Sequence, residues 1–188
     1  MEFSELLAIR RTVRLFKQQP VSDSDLLKLI DAARQASCSS NRQRLRYMIV
    51  RTPELVEAVL EKTAWAGLVK PLRTPQWGKN SPAAFIVLTA PEDDNSSIEA
   101  DAGAAVQSIE FAATDMGLGA CWLGAIDRAA IREILDCGRI VYLVAVGYPD
   151  ETPYSKDINI DESCAYHIDS EGNLCVPKFK AEAITVFR

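Results

Sequence analysis

The chain has 188 residues, of which 48% are hydrophobic and 25% charged, and a formal net charge of −5; this suits one compact domain with a core of its own. Net acidity excludes the broad basic face that binding along a nucleic-acid backbone requires, and no apolar run reaches the roughly 20 residues needed to span a bilayer. Five scattered cysteines without CxxC spacing and a single histidine, His167, suggest neither a zinc site, a disulfide framework nor a histidine-based triad. The N-terminal stretch MEFSELLAI carries Glu2 and Glu5 where a signal peptide carries positive charge, so a cytoplasmic protein with reduced, structural thiols is expected.

Phe3, Leu6 and Leu7 have helical spacing, whereas Val13 and Phe16 alternate around Arg14, so a first helix gives way to an extended segment near Arg10. Ser22 followed by Asp25 forms a variant capping box, and Leu26, Leu29, Ile30 and Ala33 then mark a helix. The run 45–51 reads as a strand, and Thr52-Pro53 starts a helix carried by Leu55, Val56, Val59 and Leu60. The continuous apolar run 83–89 fits a central strand covered on both faces. The longest periodic segment, about 97–116, has a stripe of Ala102, Ala105, Val106, Ile109, Ala112, Ala113 and Met116 and stops at Gly117. Its small side chains fit a helix at the middle of the molecule or against a second copy. A short strand at 120–123, a helix from Asp127 through Leu135, and a buried strand in the run 139–149, ending in a Gly-Tyr-Pro turn, follow. The tail reads as polar and irregular, with a turn at 169–173. Helices and strands alternate without a regular βαβ rhythm, so α+β or α/β is the fold class; no repeat or linker divides the chain, and a single domain over 1–188 is expected.

Two polar stretches stand out. IRRTVRLF (9–16) puts Arg10, Arg11 and Arg14 at the junction between the first helix and the extended segment. Arginine offers a planar fork of donors suited to phosphate oxygens, and Thr12 adds a hydroxyl, so a small anion is the natural ligand. ASCSSNRQ (36–43) gathers hydroxyls, a thiol and two carboxamides, which can donate and accept toward a heteroaromatic ring.

Taken in order, IRRTVRLF, the helix after Ser22, ASCSSNRQ leading into a strand, the long helix ending in ATDMGLGACWLG, and VAVGYPDE resemble the nitroreductase family of flavin enzymes over nearly the whole chain. The resemblance implies an α+β fold, a mixed sheet flanked by helices, in an intertwined homodimer that pairs through the long helix and holds one FMN at each end of the interface. It assigns Arg10 and Thr12 to the phosphate, with Arg11 near it, and Arg14 to the pyrimidine edge of the ring, where a cation stabilises negative charge on the reduced flavin. It assigns Ser39, Ser40, Asn41 and Gln43 to the polar edge of the flavin or to its partner-facing side, and Trp122, Leu123 and Gly124 to contacts made mainly through the main chain. Lys156 is the candidate basic residue that completes the phosphate site. The chain departs from the usual family pattern at Ser37, Cys38, Arg44 and Leu45, where Pro, Ser, Pro and Trp are common; Cys38 puts an oxidisable group beside the ring, as a passive serine substitute.

The activity implied is electron transfer from NADH or NADPH to a small organic oxidant, such as a nitroaromatic or quinone, by a ping-pong scheme with little side-chain acid–base chemistry. The segment 65–80, with two tryptophans and three cations, takes the place of the family's cover over the flavin. The same fold also serves relatives that cleave flavin or remove halogen from aromatic rings, and a flavin-binding module without turnover is the remaining alternative.

Overall fold

The computed structural model describes residues 1–93 and 97–188. Helix α1 (Phe3–Ile9) ends at Arg10, where the backbone becomes extended. Helix α2 (Asp23–Arg34) begins after Ser22, whose Oγ accepts the Asp25 N–H at 3.1 Å and donates to the Asp25 carboxylate at 2.8 Å. This satisfies one of the otherwise unpaired first-turn donors. Strand β1 (Arg46–Val50), helix α3 (Pro53–Leu60) with proline in its first turn, and strand β2 (Ala84–Ala90) follow. Helix α4 (Ile98–Asp115) ends before Gly117, which takes the left-handed φ of +74° that an L side chain resists. Strand β3 (Gly119–Leu123), helix α5 (Arg128–Leu135), capped by the Asp127 carboxylate on the Ala130 N–H, and strand β4 (Arg139–Gly147) complete the body.

Among the described residues, the main sheet has the order β1-β2-β4-β3 with every pair antiparallel. Strands β2 and β4 are central, and their continuous apolar sequence follows from burial on both faces. Ala84, Ile86 and Leu88 of β2 face a core shared with Leu26 and Leu29 of α2 and Ala102, Val106 and Ile109 of α4. Phe85 and Val87, on the opposite face, pack with Val56 and Val59 of α3 and Ile131 of α5. Mixed helices and antiparallel strands make the fold α+β, which resolves the two classes left open by the periodicity.

The expectation of an irregular tail is corrected. Strands β5 (Tyr154–Ile158), β6 (His167–Ile168) and β7 (Leu174–Phe179) form a second sheet in the order β5-β7-β6, parallel between β5 and β7 and antiparallel between β6 and β7. Within β7, β6 covers only Leu174 and Cys175. The sheet is therefore open beside Pro177, where a proline is tolerated. The expected turn is present: the Asp169 carboxylate accepts the N–H groups of Glu171 and Asn173 at 2.9 and 2.8 Å. Leu174, fully buried, joins the core that contains Val13 and Phe16, which brings this small sheet against the arginine segment.

Candidate active site

The extended segment 10–16 lies over a pair of glycines. Gly119 of β3 and Gly147 of β4 are direct cross-strand partners. A Cβ on Gly119 would stand 2.7 Å from Val13 Cβ, and one on Gly147 would stand 2.9 Å from Phe16 Cδ1, both inside van der Waals contact. Because neither glycine has a side chain, Val13 and Phe16 sink against the sheet. The Val13 N–H donates to Ala120 O at 3.0 Å, the Phe16 N–H to Asn80 O at 3.1 Å, and the Asp150 N–H to Leu15 O at 2.9 Å. The segment thus buries Val13 and Phe16 and leaves Arg14 and Leu15 half-buried, with the arginines at the rim.

Each arginine has a different neighbour. Arg10 Nη1 donates to Glu110 Oε2 on α4 at 3.0 Å, in a pair whose side chains are 18% and 7% exposed. Burial raises the Glu110 carboxyl above its ordinary pKa, opposed by the charge of Arg10 and by a hydrogen bond from the Trp122 main chain. Arg11 donates to Ser155 Oγ on β5, to Arg10 O, and to Leu7 O at 3.3 Å, while its buried Nε has no hydrogen-bond partner. Burial first and the adjacent Arg10 charge second lower the Arg11 pKa, so this guanidinium lacks the counter-charge that would favour its ionised form. The Arg14 guanidinium lies 5.2 Å from the centroid of the Tyr166 ring, a cation–π contact. Thr12 is half-buried among them.

Main-chain groups of β3, an edge strand, meet this cluster. Ala120 O is held by Val13, and the Trp122 main chain reaches the Glu110 carboxylate. The Trp122 ring is 39% exposed and stands edge-on to Tyr142, with centroids 5.0 Å apart and planes at 81°. Leu123 is buried and Gly124 exposed. The region of RRTVR and that of GACWLG therefore form one continuous surface, with Glu110 between them.

The loop 36–43 forms a separate polar surface. Ser40, Asn41 and Gln43 all have positive φ, at 52°, 51° and 49°, a conformation that costs non-glycine residues on the order of 1–3 kcal/mol each and clusters at functional sites. The fold holds it in place: Asp101 of α4 accepts the Ser39 N–H at 2.9 Å, and Cys38 Sγ accepts the Gln43 N–H at 3.4 Å. The Gln43 side chain donates to Asn41 Oδ1 at 3.1 Å. Cys38 therefore closes the loop as an acceptor. Beneath it lies a cavity of about 130 Å³, lined by Ala33, Cys38, Tyr47, Asp101 and Ala105 among others; the Tyr47 phenol is raised by burial and then by Cys38.

Within one chain the two polar surfaces do not meet. Asp101 anchors one and Glu110 the other, about nine residues and roughly 13 Å apart along α4. Lys156 is exposed on β5 and, by strand alternation, points away from Ser155 and Arg11; a cation on the Ser155 side is Lys178, whose register neighbour is Asp157.

Several residues at the rim escaped the sequence reading. Glu151, 4% exposed, accepts the N–H groups of Arg14 and Leu15 through Oε1 at 2.5 and 3.1 Å. Its Oε2 lies 2.7 Å from Nε of Arg73, in the segment 65–80, with the N–H not aligned to it, so the contact is a charge pair. The same segment packs on the body through buried Trp65 and Val69. Glu110 had a sequence signal, standing one helical turn after Val106 of the apolar stripe; Glu151 closes VAVGYPDE and Arg73 is a cation of the segment 65–80, but neither was assigned a role, and Ser155 had no signal.

The sequence model of the Nitroreductase family matches residues 7–148. A protein of Archaeoglobus fulgidus with the provisional name NADH dehydrogenase/NAD(P)H nitroreductase is 26% identical over 160 residues, covering 80% of this chain and 87% of that one. A nitroreductase family protein from Clostridium novyi superposes with a TM-score of 0.68 at 27% identity, over 80% of this chain and 86% of that one. An FMN-dependent nitroreductase from Clostridium difficile gives a TM-score of 0.64 at 25% identity, over 78% and 87%.

Proposed function

The chain belongs to the nitroreductase family, and on that premise we propose that it is an FMN-dependent oxidoreductase that passes electrons from NAD(P)H to a small organic oxidant such as a nitroaromatic or quinone. The observation that carries this reading is the arginine cluster: at one rim the guanidiniums of Arg10 and Arg11, the latter with a buried unpartnered Nε and a depressed pKa, fit a phosphate dianion, with Arg14 beside them. Bound FMN supplies the two-electron chemistry.

Arg10, Arg11 and Thr12 would hold the phosphate, and Arg14 the pyrimidine edge. The β3 main chain from Trp122 to Gly124 would line the ring, and its edge-strand position leaves one side of that backbone unpaired by another strand. Glu110 aims Arg10 and limits the net positive charge that the site carries without ligand. Lys156 enters only if β5 shifts its exposed face toward the rim. The absence of a histidine from this surface accords with chemistry that needs little side-chain proton transfer; the one histidine, His167, is exposed on β6.

The loop 38–43 would reach the flavin bound mainly by a second copy. Two features favour a homodimer through α4. The outer side of the helix presents Gly103, Ala104, Gln107 and Ser108, all half-buried, and Gln107 Nε2 is buried without a hydrogen-bond partner among the described residues. A two-fold partner would also bring one copy's loop 38–43 to the other copy's arginine rim. With one rim serving donor and acceptor in turn, the protein would release oxidised nicotinamide before the oxidant binds, in ping-pong order.

The test is direct. Protein purified with excess FMN should retain about one flavin per chain and bleach anaerobically on addition of NADH or NADPH, with parallel double-reciprocal lines in turnover. Flavin that washes off completely, or bound flavin that neither nicotinamide bleaches, would refute the enzyme reading.

A further inference from the structure

Glu151 presents an electrostatic problem. It is 4% exposed and accepts two main-chain N–H groups, one of them from Arg14 itself. A carboxylate so placed lies within reach of the Arg14 side chain, and its charge and that of Arg14 both act on the buried Cys121 thiol. Left alone, a buried carboxylate beside a flexible guanidinium would pair with it, because an uncompensated buried charge costs several kcal/mol. Arg14 instead lies over the Tyr166 ring.

The difference is made by Arg73. It is 12% exposed, places Nε 2.7 Å from Glu151 Oε2, and fixes the other end of its guanidinium by donating Nη2 to Gly172 O, in the turn between β6 and β7, at 2.7 Å. That turn belongs to the same hairpin whose entry carries Tyr166, and the Tyr166 hydroxyl accepts the Leu68 N–H of the segment 65–80 at 3.4 Å. The segment is thus tied to the hairpin at Leu68 and Arg73, and both ties converge on Arg14. Glu151 sets the Arg14 main chain, and Tyr166 supports its guanidinium.

We propose that Arg73 is a positioning residue for Arg14: by neutralising Glu151 it lets that carboxylate hold the Arg14 backbone without capturing the Arg14 side chain, which remains directed at the flavin's pyrimidine edge. This rests on the assignment of Arg14 to that edge. It also makes the placement of the cover segment a determinant of the flavin's electron affinity, because displacement of Arg73 frees Glu151 to take Arg14.

Two-electron potentials of the FMN-loaded protein, measured by dye equilibration, test the proposal. Arg73→Gln should lose about tenfold in the preference for reduced over oxidised flavin, a drop of roughly 30 mV. Glu151→Gln keeps an oxygen for the N–H groups of Arg14 and Leu15 but carries no charge, so alone or combined with Arg73→Gln it should hold the wild-type potential. A merely structural role for Arg73 would not produce recovery in the double variant. A wild-type potential in Arg73→Gln, or a double variant no better than the single one, overturns the proposal. If Arg73→Gln does not accumulate as folded protein, recovery of folding and potential together in the double variant supports the proposal and recovery of neither overturns it. Arg14→Ala separates the two levels. If it lowers the potential while Arg73→Gln does not, only the positioning role fails; if it leaves the potential unchanged, the assignment of Arg14 fails and the positioning role falls with it.

Discussion

The seat beneath the arginines can be tested without any ligand. Gly119→Ala would place a methyl group 2.7, 2.8 and 2.9 Å from Val13 Cβ, Cγ1 and Cγ2, where carbon atoms prefer about 3.5–4.0 Å. Separating them requires a shift of roughly 1 Å, and such overpacking costs about 1–3 kcal/mol. The sheet on the far side is held by β4, so the segment 10–16 should move. Gly119 has an ordinary strand conformation rather than a positive φ, so alanine is otherwise tolerated there, and it stabilises by about 0.4–1 kcal/mol through the unfolded chain. The decisive experiment is therefore a double-mutant cycle with Val13→Gly, which removes all three clashing atoms. Urea unfolding at one fixed protein concentration should show Gly119→Ala costing more in the wild-type background than beside Val13→Gly, where it should be neutral or stabilising, a coupling of about 1–3 kcal/mol because the unfolded-chain term cancels in the cycle. Flavin affinity should fall with Gly119→Ala, since the arginines move with the strand. An equal cost of Gly119→Ala in both backgrounds would refute the seat.

Two further outcomes follow from the charges and from the long helix. Arg10→Ala should weaken FMN binding at least tenfold, on the order of 1.5–3 kcal/mol for a charge-assisted contact, and should also destabilise the flavin-free protein by about 3 kcal/mol at pH 8, because it strands Glu110. The Glu110 carboxyl is raised in the folded protein, so its contribution is fully present below the unfolded value and is lost as pH rises through the folded value. The stability cost of Arg10→Ala should accordingly shrink toward pH 4, and a cost independent of pH would contradict the pairing. Ala104→Arg, on the outer side of α4, should yield a monomer by sedimentation and lose FMN with it; a flavin-loaded monomer would place the whole site within one chain.

Most of the frame was legible because it rests on local signals. The Ser22 cap, the stop at Gly117 and the doubly buried runs of β2 and β4 each lie within one segment, and each appears where periodicity put it, within one or two residues. The small second sheet was not legible, since its parallel pair β5·β7 joins residues separated by a long excursion and one member carries Pro177. The arginines were conspicuous, but their neighbours were not. Arg11 meets Ser155 of β5, and Arg14 meets Tyr166 and Glu151, across sequence separations that leave no local pattern.

The same contrast explains why the rim is more constrained than its composition suggests. A basic pentapeptide on a surface can relax its charges into solvent, but here each guanidinium is engaged by a different element: Glu110 from α4, Ser155 from β5, and Tyr166 from the stretch before β6. The Glu151 carboxylate, which accepts the Arg14 N–H, is occupied by Arg73 from a fourth. Three like charges are thereby kept apart at fixed positions, with one Nε left unpaired. The Arg11 guanidinium gains the fold nothing in that position, because a desolvated donor without a matched acceptor costs free energy. An anion of matching shape would reverse the sign, so the site is better explained by what binds there than by what holds the protein together.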